Sequence, residues 1–121
     1  MNVVENSREA TELDELHHVA LQVSEIAPAV KWYQERFRCS LIWSDKSWAL
    51  LRFSNCSLAL VLPDQHPPHF AITREDAARF GSLTPHRDGT ASVYLQDLDG
   101  NSVECLRLAE EPAGETERES T

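Results

Sequence analysis

The chain switches between two apolar periodicities, and it does so twice. In Leu16-His17-His18-Val19-Ala20-Leu21-Gln22-Val23, one phase carries Val19, Leu21 and Val23 while the other carries His18, Ala20 and Gln22. That is the period-two pattern of a strand. Ser24 then reads as a helix cap, and Ile26, Val30, Tyr33 and Phe37 follow at helical spacing. Pro28 falls in the first turn, where proline is tolerated. Three strand-like runs come next: Ser40–Ser44, Trp48–Phe53 and Ser57–Leu62. Pro63-Asp64-Gln65-His66-Pro67-Pro68 can continue neither helix nor strand and reads as a linker.

A second block repeats the plan in shorter form. His69-Phe70-Ala71-Ile72 echoes His18-Val19-Ala20-Leu21, and Ser102-Val103-Glu104-Cys105 parallels Ser57-Leu58-Ala59-Leu60. Thr73 with Asp76 resembles a capping box ahead of a short helix through Ala77 and Phe80. Ala91–Gln96 and Ser102–Leu108 read as strands joined by a tight turn at Asp99-Gly100. The class is therefore α+β, with two βαβββ-type modules at 16–62 and 69–108 that point to duplication. His18 and Ala59 lie 41 positions apart, but His69 and Glu104 only 35, so the second module is expected to lack most of a strand near Gly81–Gly89.

Composition narrows the setting. A chain of 121 residues suits one domain able to bury a core without disulfides. The net charge of −9 disfavours nucleic acid and anionic membranes as partners, since both need a basic face. Acidic side chains crowd residues 1–15 and 109–121, which read as a disordered lead-in and tail. No run is apolar enough to span a bilayer and no leader opens the chain, so a cytoplasmic protein is expected. Cys39, Cys56 and Cys105 form no CxxC pair and read as free thiols.

Glu104 stands out, because a lone carboxylate inside an apolar strand needs a cation, a set of hydrogen bonds or an exposed face. His18 and His69 open the two modules on the phase opposite the apolar one, and Glu104 shares that side if Val103 and Cys105 face the helix. Two imidazoles and one carboxylate make a three-ligand set with open positions that suits Fe(II), Mn(II) or Zn(II). Tyr94 lies on the phase of Glu104, and its hydroxyl can reach a bound oxygen or simply pack in the strand. His86 reads as a proton carrier or an exposed loop residue. His17 is assigned to the helix side and His66 to the solvated linker. Trp43 and Trp48 read as core, with a place in the cup wall as the alternative, and Arg52 and Arg87 as surface.

With His-Val-Ala-Leu-Gln-Val near the start and Asp-Leu-Asp-Gly-Asn-Ser-Val-Glu near the end, residues 16–108 resemble the vicinal oxygen chelate superfamily of glyoxalases, extradiol dioxygenases and bleomycin-resistance proteins. The resemblance implies a cupped mixed sheet with metal ligands at His18, His69 and Glu104, where Ala59 replaces a fourth ligand. Thr84-Pro85-His86 followed by Val93-Tyr94-Leu95-Gln96-Asp97-Leu98-Asp99-Gly100 and Glu104 is similar to the extradiol signature, with Leu98 where that signature has proline. It implies catalytic roles for Tyr94 and His86, Fe(II) ahead of Mn(II) or Zn(II), a small oxygen-chelating substrate and a homodimer. A metal-free binding module of the bleomycin-resistance type, or a metal-dependent lyase or transferase, are the alternative activities. A stress or regulatory protein with a vestigial site is a further possibility.

Overall fold

The computed structural model describes residues 13–109. Most of the acidic lead-in and all but the first residue of the tail lie outside this range. Two residues assigned to the lead-in belong to the fold: Glu15 opens the first strand, and the Asp14 carboxylate accepts a 2.9 Å hydrogen bond from Arg74.

The first module runs β1 (Glu15–Gln22), α1 (Ile26–Arg36), β2 (Ser40–Ser44), β3 (Trp48–Arg52) and β4 (Ser57–Val61). The second runs β5 (His69–Thr73), a 3-10 helix (Ala77–Phe80), β6 (Thr84–Pro85), β7 (Ala91–Gln96) and β8 (Ser102–Arg107). All eight strands join one mixed sheet in the order β2-β3-β4-β1-β5-β8-β7-β6. Within each module the first strand pairs parallel to the last, and the modules meet where β1 pairs antiparallel to β5. The shortened second module is confirmed: β6 has two residues, and its helix is one 3-10 turn.

α1 lays Ile26 and Val30 on Ala49, Leu51 and Leu60 of β3 and β4. The alternation read from the sequence places these strand positions under the helix and leaves Trp48, Leu50, Ala59 and Val61 on the other face. Between β7 and β8, Gly100 takes φ of +86°, a conformation that favours glycine, while Asp97 Oδ1 accepts from the Asp99 and Asn101 amides.

Both expected helix caps are absent. Val23 N–H still bonds Val61 O at 2.8 Å, so the sheet ladder holds the chain right up to Ser24 and the helix begins only at Ile26. Glu25 takes the cap position and makes no side-chain cap bond. In the second module Arg74 claims Asp76 with a bidentate pair at 2.7 and 2.9 Å and holds its carboxyl at about 2. The carboxylate is thus unavailable to reach back toward Thr73.

Leu51 is fully buried whereas Leu41 on the outer strand is 42% exposed. Leu51→Ala is expected to lower the unfolding free energy by about 2–5 kcal/mol in urea denaturation. Leu41→Ala is expected to cost well under half of that. Equal losses would contradict the assignment of the core to the α1 side.

Candidate metal centre

Strand register builds the site. Cα partners run Ser57–His18–Ala71–Glu104–Tyr94 across β4, β1, β5, β8 and β7. The adjacent row on the same face runs Ala59–Ala20–His69–Ser102–Gln96. His18 and Glu104 therefore flank Ala71, and His69 sits one row away. The alanines are buried at 6% exposure or less, so no bulky side chain separates the polar groups above them.

His18, His69 and Glu104 converge with their ligand atoms all within 4.8 Å. Both imidazole Nε2 atoms lie 3.3 Å from the same oxygen, Glu104 Oε1. That separation is long for a charge-assisted hydrogen bond, which runs about 2.7–2.9 Å. It matches the edge of a coordination polyhedron whose ligand bonds are about 2.0–2.2 Å long. The neighbouring groups select the nitrogen. His69 Nδ1 donates to the Pro67 carbonyl at 2.9 Å, which leaves Nε2 with its lone pair. His18 Nδ1 lies 2.9 Å from His17 Nδ1, which accepts its proton in the tautomer that frees His18 Nε2.

Glu104 is buried, which pushes its carboxyl up, yet the bonds from His18 and His69 hold it far below the usual carboxylate range. His69 is raised above 6.5 chiefly by its bond to Glu104. Ser92, fully buried, supports the carboxylate, and its hydroxyl is 2.8 Å from His86 Nε2. His86 Nε2 stands 3.8 Å from Glu104 Oε2. Oε1 thus faces His18 and His69, and Oε2 faces His86. The Tyr94 ring meets His69 edge-on at 5.4 Å, and burial together with the Glu104 charge pushes its phenol up, so it remains a proton donor.

These groups line a cavity of about 360 Å³. All five histidines of the chain line it, although His17 and His66 were expected elsewhere. His17 is the extra residue of a bulge between Leu16 and His18, where β1 slips against β5. The slip removes it from the strand alternation and turns it to the cup instead of the helix. Trp43 and Trp48 are not core: they are 51% and 37% exposed, and Trp48 lines the cup. Arg52 is exposed and lines a separate surface groove. The three cysteines are free. Ser92 was missed in the sequence, though it precedes Tyr94 by two residues and so shares its face.

No family model matches the chain, and no curated protein matches it. Among solved structures, it resembles a hypothetical protein from Bacillus halodurans C-125 with a TM-score of 0.65 at 16% identity, over 82% of this chain and 97% of that one. That likeness shows a shared fold. A lactoylglutathione lyase from Agrobacterium tumefaciens gives a TM-score of 0.39 at 21% identity over 75% and 91% of the two chains. A glyoxalase/bleomycin resistance protein/dioxygenase from Alicyclobacillus acidocaldarius gives 0.38 at 20% identity over 77% and 90%.

The raised His69 pKa fixes the sign of a pH effect. Below 6.5 the proton on His69 contributes fully to the stability of the metal-free fold, and that contribution is lost as pH rises through the raised value. The melting temperature of chelator-treated protein is expected to fall across that window, and His69→Gln to remove the dependence. A dependence that survives His69→Gln would place its origin elsewhere.

Proposed function

We propose that the chain is a metal-dependent enzyme of the glyoxalase/extradiol-dioxygenase type, acting on a small substrate that offers two oxygens. One observation carries this reading: two imidazole nitrogens meet one buried carboxylate oxygen at coordination-edge spacing, on the floor of an open cup. His18, His69 and Glu104 would hold a divalent cation, with Fe(II) first for a two-histidine, one-carboxylate set and Mn(II) or Zn(II) next. When bound, such a cation supplies Lewis-acid polarisation of substrate oxygens and, as iron, redox chemistry with O₂.

The remaining work falls to the chain. Tyr94 keeps its proton and can donate a hydrogen bond to a substrate oxygen above Glu104. His86, whose Nε2 meets the buried Ser92 hydroxyl, would carry protons between the cup and solvent. Buried Ser92 supports the Glu104 carboxylate and would help to orient it for a ligand. Tyr94 and His86 tilt the reading toward oxygen chemistry over a lyase or transferase. The raised His69 pKa favours one competing reading, a metal-free binding module, because a protonated imidazole can itself satisfy Glu104.

Metal analysis after purification without chelators tests the proposal. One equivalent of divalent metal is expected, and it should be lost in His69→Ala and Glu104→Ala. A folded protein that takes up no metal at any pH overturns the reading in favour of the binding module. With iron-loaded protein, catechols should drive oxygen uptake in an electrode cell, and Tyr94→Phe should slow it by about 10²-fold or more. No uptake moves the activity to the lyase or transferase class.

A further inference from the structure

The wall of the cup opposite the triad carries information about the ligand. Trp48 lines the cavity, and Trp43 stacks behind it with ring centroids 6.5 Å apart at 29°. One carboxylate anchors the Trp43 indole and the Trp48 backbone. Asp45, in the β2–β3 turn, accepts from Trp43 Nε1 at 3.1 Å, from Ser47 N–H and Oγ–H at 2.8 Å each, and from Trp48 N–H at 3.0 Å. Neither indole belongs to the core under α1, so packing there does not account for the arrangement. An indole in a cavity wall, backed by a second indole that is hydrogen-bonded in place, is a preformed stacking surface.

Charge gives the second constraint. No lysine or arginine among the described residues lines the cup, while Asp88 and Glu104 both do. Asp88 is held as a carboxylate by bonds from the Thr90 amide and hydroxyl. Glu104 lies within reach of the three imidazoles, whereas Asp88 stands at the rim with no salt bridge among the described residues. A negatively charged substituent beyond the chelating end would meet that carboxylate with no cation to offset it.

The sheet sets the spacing. Trp48 on β3 and His69 on β5 are separated by three strand intervals, about 14 Å at the backbone. The indole occupies part of that span, and Leu50 and Ala59 form the floor between.

We propose that the Trp48–Trp43 pair, clamped by Asp45, is a specificity wall that selects a planar, uncharged ring system attached to the chelating oxygens, and that Asp88 excludes anionic substituents. The proposal deepens the metal-enzyme reading and rests on it for the chelating end of the ligand only.

Three hydroxamic acids with the same chelating head test it: acetohydroxamic, benzohydroxamic and para-carboxybenzohydroxamic acid. Binding to the zinc-loaded protein is measured by calorimetry, and in parallel the Trp48 indole N–H resonance is followed by NMR in the metal-free protein. Benzohydroxamic acid is expected to bind about tenfold more tightly than the acetyl compound. The para-carboxylate should lose most of that gain. Trp48→Ala should abolish the preference for the ring, Trp48→Phe should restore most of it, and metal content should stay at one equivalent in both. Asp88→Asn should recover several-fold affinity for the carboxylated probe.

Equal affinity for all three probes, tightest binding of the carboxylated one, or a ring preference that survives Trp48→Ala overturns the proposal. The ratios between probes report on the wall, and zinc stoichiometry reports on the metal site. If zinc does not bind, the ratios in the metal-free protein still decide the wall.

Discussion

The antiparallel pairing of β1 with β5 is the joint on which both the sheet and the site depend. Each module alone carries one of the two triad histidines, on its first strand. Only when His18 pairs with Ala71 and Ala20 with His69 do the two imidazoles stand on one face in adjacent rows. Parallel pairing of β5 with β8 then places Glu104 beside Ala71 and completes the set within a single chain. A slip of one residue in either pairing would send the whole set of side chains to the opposite face. The alanine rows make the close approach possible, because larger residues at Ala20, Ala59 or Ala71 would fill the floor on which the polar groups meet.

That constraint explains how much could be read in advance. Strand bounds emerge within a residue or so because one buried face imposes strict alternation, which is local information. The face shared by His18, His69 and Glu104 follows from the same alternation applied to a repeated motif. His17 escaped because a bulge is decided by how β1 meets β5, and a single strand carries no sign of it. The tryptophans escaped because Trp43 lies on the outer strand β2 and Trp48 on the cup face of its neighbour β3, and strand order is a property of the whole topology. The caps failed for a different reason: each candidate had a stronger competitor, the Val23–Val61 ladder bond in one module and Arg74 in the other.

The imbalance between the modules bears on the chemistry as well as the packing. α1 covers the first half of the sheet, whereas the second half has one 3-10 turn. On the cup side the shortening acts differently. β6 pairs with β7 only through Thr84 with Ser92 and Pro85 with Ala91. The chain then turns at once, with His86 N–H bonded to Thr90 O at 2.8 Å and Gly89 N–H to His86 O at 3.1 Å.

This early turn is what delivers His86 to the site. It folds the imidazole back over the preceding pairs, where Nε2 reaches the buried Ser92 hydroxyl and comes within 3.8 Å of Glu104 Oε2. The same turn carries Asp88 and Thr90 to the rim. The strand lost from the second module is thus replaced by a compact loop whose polar side chains line the cup. At Ala59 the first module brings no polar side chain to the floor, while the loop of the second brings a third imidazole from another direction. The site is asymmetric for that reason: one side is a flat apolar wall built on β3 and β4, the other a polar rim built on the turn after β6. A ligand held between them would present its ring to the first and its chelating oxygens to the triad on the floor between.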